Sequence, residues 1–143
     1  MSKLIETRIE FQQLAERRLV EAKALLNLGF WDGAYYLAGY AVELGLKACI
    51  IKMLLATDAF PDKDLSRDCY THSVSTLIKV SRLREAEEAA TDADPLLKAH
   101  WGLVKDWSEQ KRYHMIEQNE AEGLYTAIAG NGHGVLSWIK TVW

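Results

Sequence analysis

The sequence predicts an all-α fold: an up-and-down bundle of four to five helices forming one domain over residues 1–143. Three observations carry that expectation. Only two residues are proline, and almost no run alternates apolar with polar residues over the length of a strand. Apolar residues instead recur at helical spacings, and short clusters of Gly, Asp, Asn and Pro separate the periodic stretches. The composition, 49% apolar and 26% charged, supplies enough apolar surface for a core without disulfides or metals.

The first helix is expected from about Leu4 to Leu28. Phe11, Ala15, Ala22 and Leu25 share one face, Glu10, Arg17, Glu21 and Lys23 fall largely outside it, and Gly29 supplies a left-handed stop. The second, from about Asp32 to Ala56, is apolar nearly all round, as a central helix should be. Its small residues Ala34, Ala38, Ala41, Gly45 and Ala48 invite a close helix neighbour. Residues Thr57 to Tyr70, with Phe60-Pro61-Asp62 and a run of charges, read as a loop. Thr71 reads as the cap of a short third helix carrying Val74, Leu77, Ile78 and Leu83. Glu85 to Asp92 reads as a frayed extension or a solvated turn. Asp94-Pro95 opens a fourth helix to about residue 107, with Leu96, Leu97, Trp101, Val104 and Trp107 as its buried set. The last element starts at Asn119 or Glu120, with a kink or break expected at Gly130, Gly132 and Gly134. Trp138, Ile139, Val142 and Trp143 form an apolar stripe that suits either the core or a dimer seam.

A net charge of −3 and a pI near 5.8 argue against a chain that binds nucleic acid through its overall field. A phosphate-rich partner would need a local patch. Five tryptophans point to aromatic anchors in a core or an interface. The N-terminal residues carry no apolar secretory stretch, and the apolar run from Ala34 to Ala56 is interrupted by Glu43, Lys47 and Lys52. Those features predict a buried helix, no membrane partner and a cytoplasmic location. Cys49 and Cys69 form no disulfide framework, and histidines 72, 100, 114 and 133 show no ligand spacing. No metal and no cofactor are expected.

Three stretches bear on family. Leu14-Ala15-Glu16-Arg17-Arg18-Leu19 leads into Ala22-Lys23-Ala24-Leu25-Leu26. The run from Trp31-Asp32-Gly33-Ala34-Tyr35-Tyr36 through Glu43-Leu44-Gly45-Leu46-Lys47-Ala48 is the most specific. Trp107 followed by Arg112-Tyr113, with a closing Trp138-Ile139-Lys140, completes the set. In this order and spacing the chain resembles the HEPN family, a small helical module of bacterial chains and an appendage of larger proteins. The resemblance implies a helical bundle, frequently a homodimer. It also implies a role among nucleotide or RNA binding, RNA cleavage in toxin members, and pairing with a small nucleotidyltransferase in toxin–antitoxin-like systems. Shared fold does not select among these.

Catalytic members of the family carry an arginine followed, after four to six intervening residues, by a histidine near the start of the last helix. Arg112 matches the arginine, but Glu117, Gln118 and Asn119 stand where the histidine belongs. His114 is too close and faces elsewhere on a helix. General acid–base cleavage of RNA needs a group that titrates near neutral pH, so the expectation is a binding module without catalysis of its own. The alternatives are an RNA-cleaving enzyme with a displaced pair, Arg112 with His114 or Arg67 with His72, and a pure interaction protein. The candidate ligand-binding set is Glu43, Lys47, Tyr36, Tyr40, Arg112, Tyr113 and His114. Glu43 and Lys47 have the spacing of a helical ion pair, and a buried carboxylate there needs partners. Arg112 is expected to reach back to Glu43, either as a structural salt bridge or to complete an anion pocket where a base stacks on a tyrosine. His72 reads as a helix-start residue with a structural hydrogen bond. Gly130-Asn131-Gly132-His133-Gly134 reads as a helix break rather than a phosphate loop, since no strand precedes it and no lysine follows.

Overall fold

A computed structural model describes residues 1–143. The chain forms eight α-helices and one 3-10 turn and contains no strand. α1 spans Arg8–Leu28. The Thr7 hydroxyl accepts the Glu10 N–H at 3.2 Å, and the Glu10 carboxylate accepts the Thr7 N–H at 3.0 Å. This reciprocal cap satisfies two orphan donors, so the helix starts at Arg8 rather than near Leu4. Gly29 ends it in the left-handed region at φ 80°. α2, Trp31–Thr57, is the central helix. α1, α4, α7, α8 and the 3-10 turn all pack on it, and its small-residue stripe from Ala34 to Ala48 is buried throughout.

Beyond α2 several sequence expectations need correction. The supposed loop contains α3, Lys63–Asp68, started by Asp62, whose carboxylate accepts the Leu65 N–H at 2.8 Å. It buries no residue, so an apolar periodicity could not reveal it. α4, Val74–Val80, is capped by Ser73 and not Thr71; the Thr71 hydroxyl instead accepts the Ser73 N–H at 3.2 Å. The acidic stretch is a true helix, α5, Arg84–Ala93. Its buried face is polar, with Thr91 and with Glu87, whose carboxylate takes a hydrogen bond from Lys105 at 2.8 Å.

α6, Pro95–Lys105, begins as expected: one Asp94 oxygen accepts the N–H groups of Leu96 and Leu97, each at 3.1 Å. Leu97, Trp101, Val104 and Trp107 are buried, whereas Leu96 is exposed. The 3-10 turn, Glu109–Tyr113, precedes α7, Gln118–Ala129, and α8, Val135–Lys140. The glycines between α7 and α8 break the chain's course as expected. A Cβ on Gly134 would lie 2.4 Å from the Gly130 carbonyl oxygen, a spacing only glycine permits. Four longer helices, α1, α2, α6 and α7, frame the bundle and the short ones close it. The C-terminal stripe belongs to that closure. Ile139 is fully buried, Trp138 meets Trp101 edge-on at 5.9 Å, and Gln12 donates to the Trp143 carbonyl at 3.2 Å. No helix is long and apolar enough to cross a membrane.

Candidate functional site

Glu43 lies on α2 with 1% of its surface exposed. An ionised carboxylate in that position requires hydrogen-bonded cations. Its Oε1 accepts from Lys47 Nζ at 2.9 Å, one helical turn on, and stands 2.8 Å from His72 Nδ1. His72 arrives from the segment between α3 and α4, where Thr71 and Ser73 fix the backbone just before the helix. Its other ring nitrogen, Nε2, lies 3.2 Å from Glu109 Oε2. The same oxygen is 3.7 Å from Arg112 Nη1. A line of polar contacts therefore runs from Lys47 through Glu43, His72 and Glu109 to Arg112.

Two clamps hold the turn that carries Glu109 and Arg112. Trp107, 2% exposed, lays its ring against Gly39 so closely that a Cβ there would sit 2.3 Å from ring atoms. After the turn, Asp32 in the first turn of α2 accepts the Ile116 N–H. Between these points the chain has room for little more than the 3-10 turn itself, which keeps the two side chains facing α2.

Tyrosines surround the line. Tyr36 lies 5.9 Å from Tyr40 and 5.9 Å from Trp107, ring centre to ring centre. The Arg112 guanidinium sits 4.8 Å above the Tyr113 ring. Burial, and then the charge of Glu43, push the Tyr40 hydroxyl above its usual value, so it serves as a neutral donor or acceptor. Arg112 is held still more firmly in its charged form, first by the Tyr113 hydroxyl and then by Tyr36 and Glu109. Burial pushes the Cys49 thiol up to about 12 and raises Cys69.

Glu43, Lys47, Tyr36 and Tyr40 share one stretch of α2, and Arg112 comes to it from the turn. Arg112 meets Glu109 rather than Glu43; the partner of Glu43 is His72, which comes from another element. Tyr113 is largely exposed beneath Arg112. His114 ends the turn as an exposed residue with no side-chain hydrogen bond and stands apart from the line. Arg67 pairs with Asp64 and Asp68 at the surface, so the literal Arg67–His72 spacing brings no pair together. Sequence reasoning missed Glu109 and the full part of His72. For Glu109 the available signal was its place three residues before Arg112.

Residues 10–123 match the family model described as HEPN domain. The chain belongs to the HEPN family. No curated protein and no solved structure matches it. The HEPN match runs from α1 into α7 and takes in every residue of the line of polar contacts. Beside that line a groove of about 710 Å³ opens between α1, α2 and the N-terminal segment. Arg18, Tyr40 and Lys47 line it together with Phe11, Ile51 and Leu54. A site with charged groups, several rings and an adjoining groove can hold a partly anionic ligand by a fork of donors and a stacking face.

Proposed function

We propose that this HEPN chain is a binding module for a phosphate-bearing ligand, a nucleotide or an RNA segment, without catalytic activity of its own. The observation that carries the reading is the convergence of His72 and Arg112, from distant elements, on one oxygen beside Tyr36, Tyr40 and Tyr113. The whole chain is acidic, with a net charge of −3, so phosphate must be drawn by such a local arrangement. Arginine presents a planar fork of donors suited to phosphate oxygens, and tyrosine rings accept bases of any sequence by stacking. The chain works as a homodimer in this reading. Exposed Leu55 in the last turn of α2 and Phe60 just beyond it offer apolar surface to a second copy or to a partner such as a small nucleotidyltransferase.

Thermal melts of the protein against mono-, di- and trinucleotides and a short mixed RNA test the reading. A ligand selective for the folded state adds about 2.7 kcal/mol of stability at a hundredfold excess over its Kd. The expected result is a clear shift with at least one nucleotide, lost in Arg112→Ala. A flat panel would remove the ligand reading and leave the protein partner.

One observation favours a second reading, RNA cleavage. The chain lacks the histidine after Arg112, yet His72 and Arg112 meet on Glu109. His72, oriented by Glu43, would take the proton of a ribose 2′-hydroxyl. The 2′-oxygen would attack the adjacent phosphorus and break its bond to the 5′-oxygen, which leaves as a hydroxyl by taking a proton from water. Arg112 steadies the charge, and a 2′,3′-cyclic phosphate remains. Loss of a short RNA on incubation, abolished in both His72→Ala and Arg112→Ala, is the result that would establish it.

A further inference from the structure

We propose that the phosphate subsite lies between His72 Nε2 and the Arg112 guanidinium, and that in the free protein the Glu109 carboxylate occupies it as an internal stand-in. The inference rests on the binding reading above and adds where the phosphate goes and what must leave. Glu109 Oε2 is 3.2 Å from His72 Nε2 and 3.7 Å from Arg112 Nη1, so one carboxylate oxygen stands between the two side chains. The fit to Arg112 is loose: 3.7 Å exceeds a hydrogen bond, and the fork holds more donors than this oxygen uses. A phosphate, with three oxygens on a larger centre, can satisfy the ring nitrogen and the guanidinium together.

Three features make Glu109 a competitor rather than part of the scaffold. It shares a five-residue 3-10 turn with Arg112, so its carboxylate is tethered beside the cations whenever nothing else is bound. Its side chain is about one-third exposed and Arg112 about half exposed, and pairs so placed contribute little to stability, which lets a ligand displace them. The fold does not depend on it, because Trp107 against Gly39 and Asp32 on the Ile116 N–H hold the turn at its two ends. Glu43 differs in each respect. It is buried, carries Lys47 and His72 on one oxygen, and fixes the imidazole so that Nε2 points at the subsite.

The arrangement sets a threshold. A singly charged phosphodiester replaces the lost carboxylate charge for charge, and a doubly charged terminal phosphate gains further from Arg112. Neutral ligands cannot displace Glu109, since they would leave the two donors without an anion.

Calorimetric titration of the full chain with inorganic phosphate and with a nucleoside monophosphate tests this. The variants are Glu109→Gln, Arg112→Ala, the combination of both, and Glu85→Gln on the exposed face of α5 as a control for net charge. Glu109→Gln should bind both probes about three- to tenfold more tightly than wild type, as expected for release of an exposed ion pair. Glu85→Gln should bind like wild type, and the gain should vanish in the combined variant. His72→Gln replaces Arg112→Ala in the combination should the latter melt early. If wild type binds the monophosphate through Arg112 and Glu109→Gln binds it equally or more weakly, the stand-in role is refuted while the binding reading stands. A gain that survives in the combined variant, or that Glu85→Gln also gives, refutes the placement of the subsite. If neither wild type nor Glu109→Gln binds either probe, the subsite falls, and the binding reading is then decided by the RNA arm of the thermal melts.

Discussion

A carboxylate with almost no exposed surface depends on hydrogen-bonding partners within reach, and Glu43 has two, the Lys47 ammonium and the His72 imidazole, on the same oxygen. Its second oxygen has no partner, so nearly all of the compensation runs through those two contacts. Removing the charge and removing its partners are therefore unequal perturbations. Glu43→Gln keeps an acceptor for the two donors and should cost about 1–2 kcal/mol. Lys47→Ala combined with His72→Ala leaves a buried anion without partners and should cost about 3–5 kcal/mol. Urea denaturation at pH 7 measures both. Equal losses would mean that Glu43 is held by packing and not by charge. The Lys47 half of this cluster could be read from the sequence, because two residues one turn apart on one helix must be neighbours. The His72 half could not. Its 29-residue separation from Glu43 is closed by the packing of α4 on α2, and no local pattern marks that. Arg112 was legible through the family's motif, but its partner was not: the turn directs it toward Glu109, three residues back, before it can reach Glu43.

Between the residues and the fold stands the segment from Trp107 to Ile116, whose position decides whether Arg112 faces α2 at all. The stripe of small residues on α2 announced a close approach, and the approach is real. What the sequence left open was which element would use each position. Gly39 receives an indole ring, while Gly45 lies against Ile139 and Leu136 of α8. A methyl group at Gly39 would collide with the Trp107 ring, a rigid plane that cannot yield locally. Gly39→Ala should therefore destabilise the protein by about 1–3 kcal/mol and weaken any ligand that depends on Arg112. Gly102 in α6 and Gly123 in α7 have nothing within 4 Å of the added carbon. The same change at either should stabilise by about 0.5–1 kcal/mol, since alanine favours the helix. Chemical denaturation of the three variants checks the contrast, and a neutral Gly39→Ala would show that the turn shifts freely. α5 teaches the converse about legibility. Its inner face buries Glu87 and Thr91 rather than an apolar row, so a search for hydrophobic periodicity passes over a helix whose burial depends on Lys105 reaching it from α6.

At the scale of the whole molecule the all-helical architecture was legible because long amphipathic or wholly apolar stretches and strong stop signals agree with one another. Of the short helices, α4 was legible from Val74, Leu77 and Ile78 with only its cap misplaced from Ser73 to Thr71, whereas α3 was not, because it buries no residue and rests on the single capping side chain of Asp62. The caps also tie the bundle's stability to pH. Glu10, at the start of α1, is lowered from 4.5 to about 2, first by Lys3 and then by the N–H groups of Glu6 and Thr7. Asp94, at the start of α6, lies below its ordinary 3.8, first through His133 and then through the Leu97 N–H. Both carboxylates are more acidic in the folded chain than in the unfolded one. Their stabilising effect is thus complete above the ordinary carboxylate range and is lost as pH falls through the folded values. The melting temperature should accordingly drop as pH falls from about 4.5 toward 2. Other carboxylates titrate in the same window, so the wild-type profile alone cannot assign the loss. Glu10→Gln combined with Asp94→Asn isolates it. That variant should melt below wild type at pH 7, and the gap should narrow steadily on acidification, because protonation removes from wild type the same charges the substitutions removed. A gap that stays constant down to pH 2 would mean that the caps act through hydrogen bonds of neutral strength, with the carboxylate charge contributing nothing to the two helix starts.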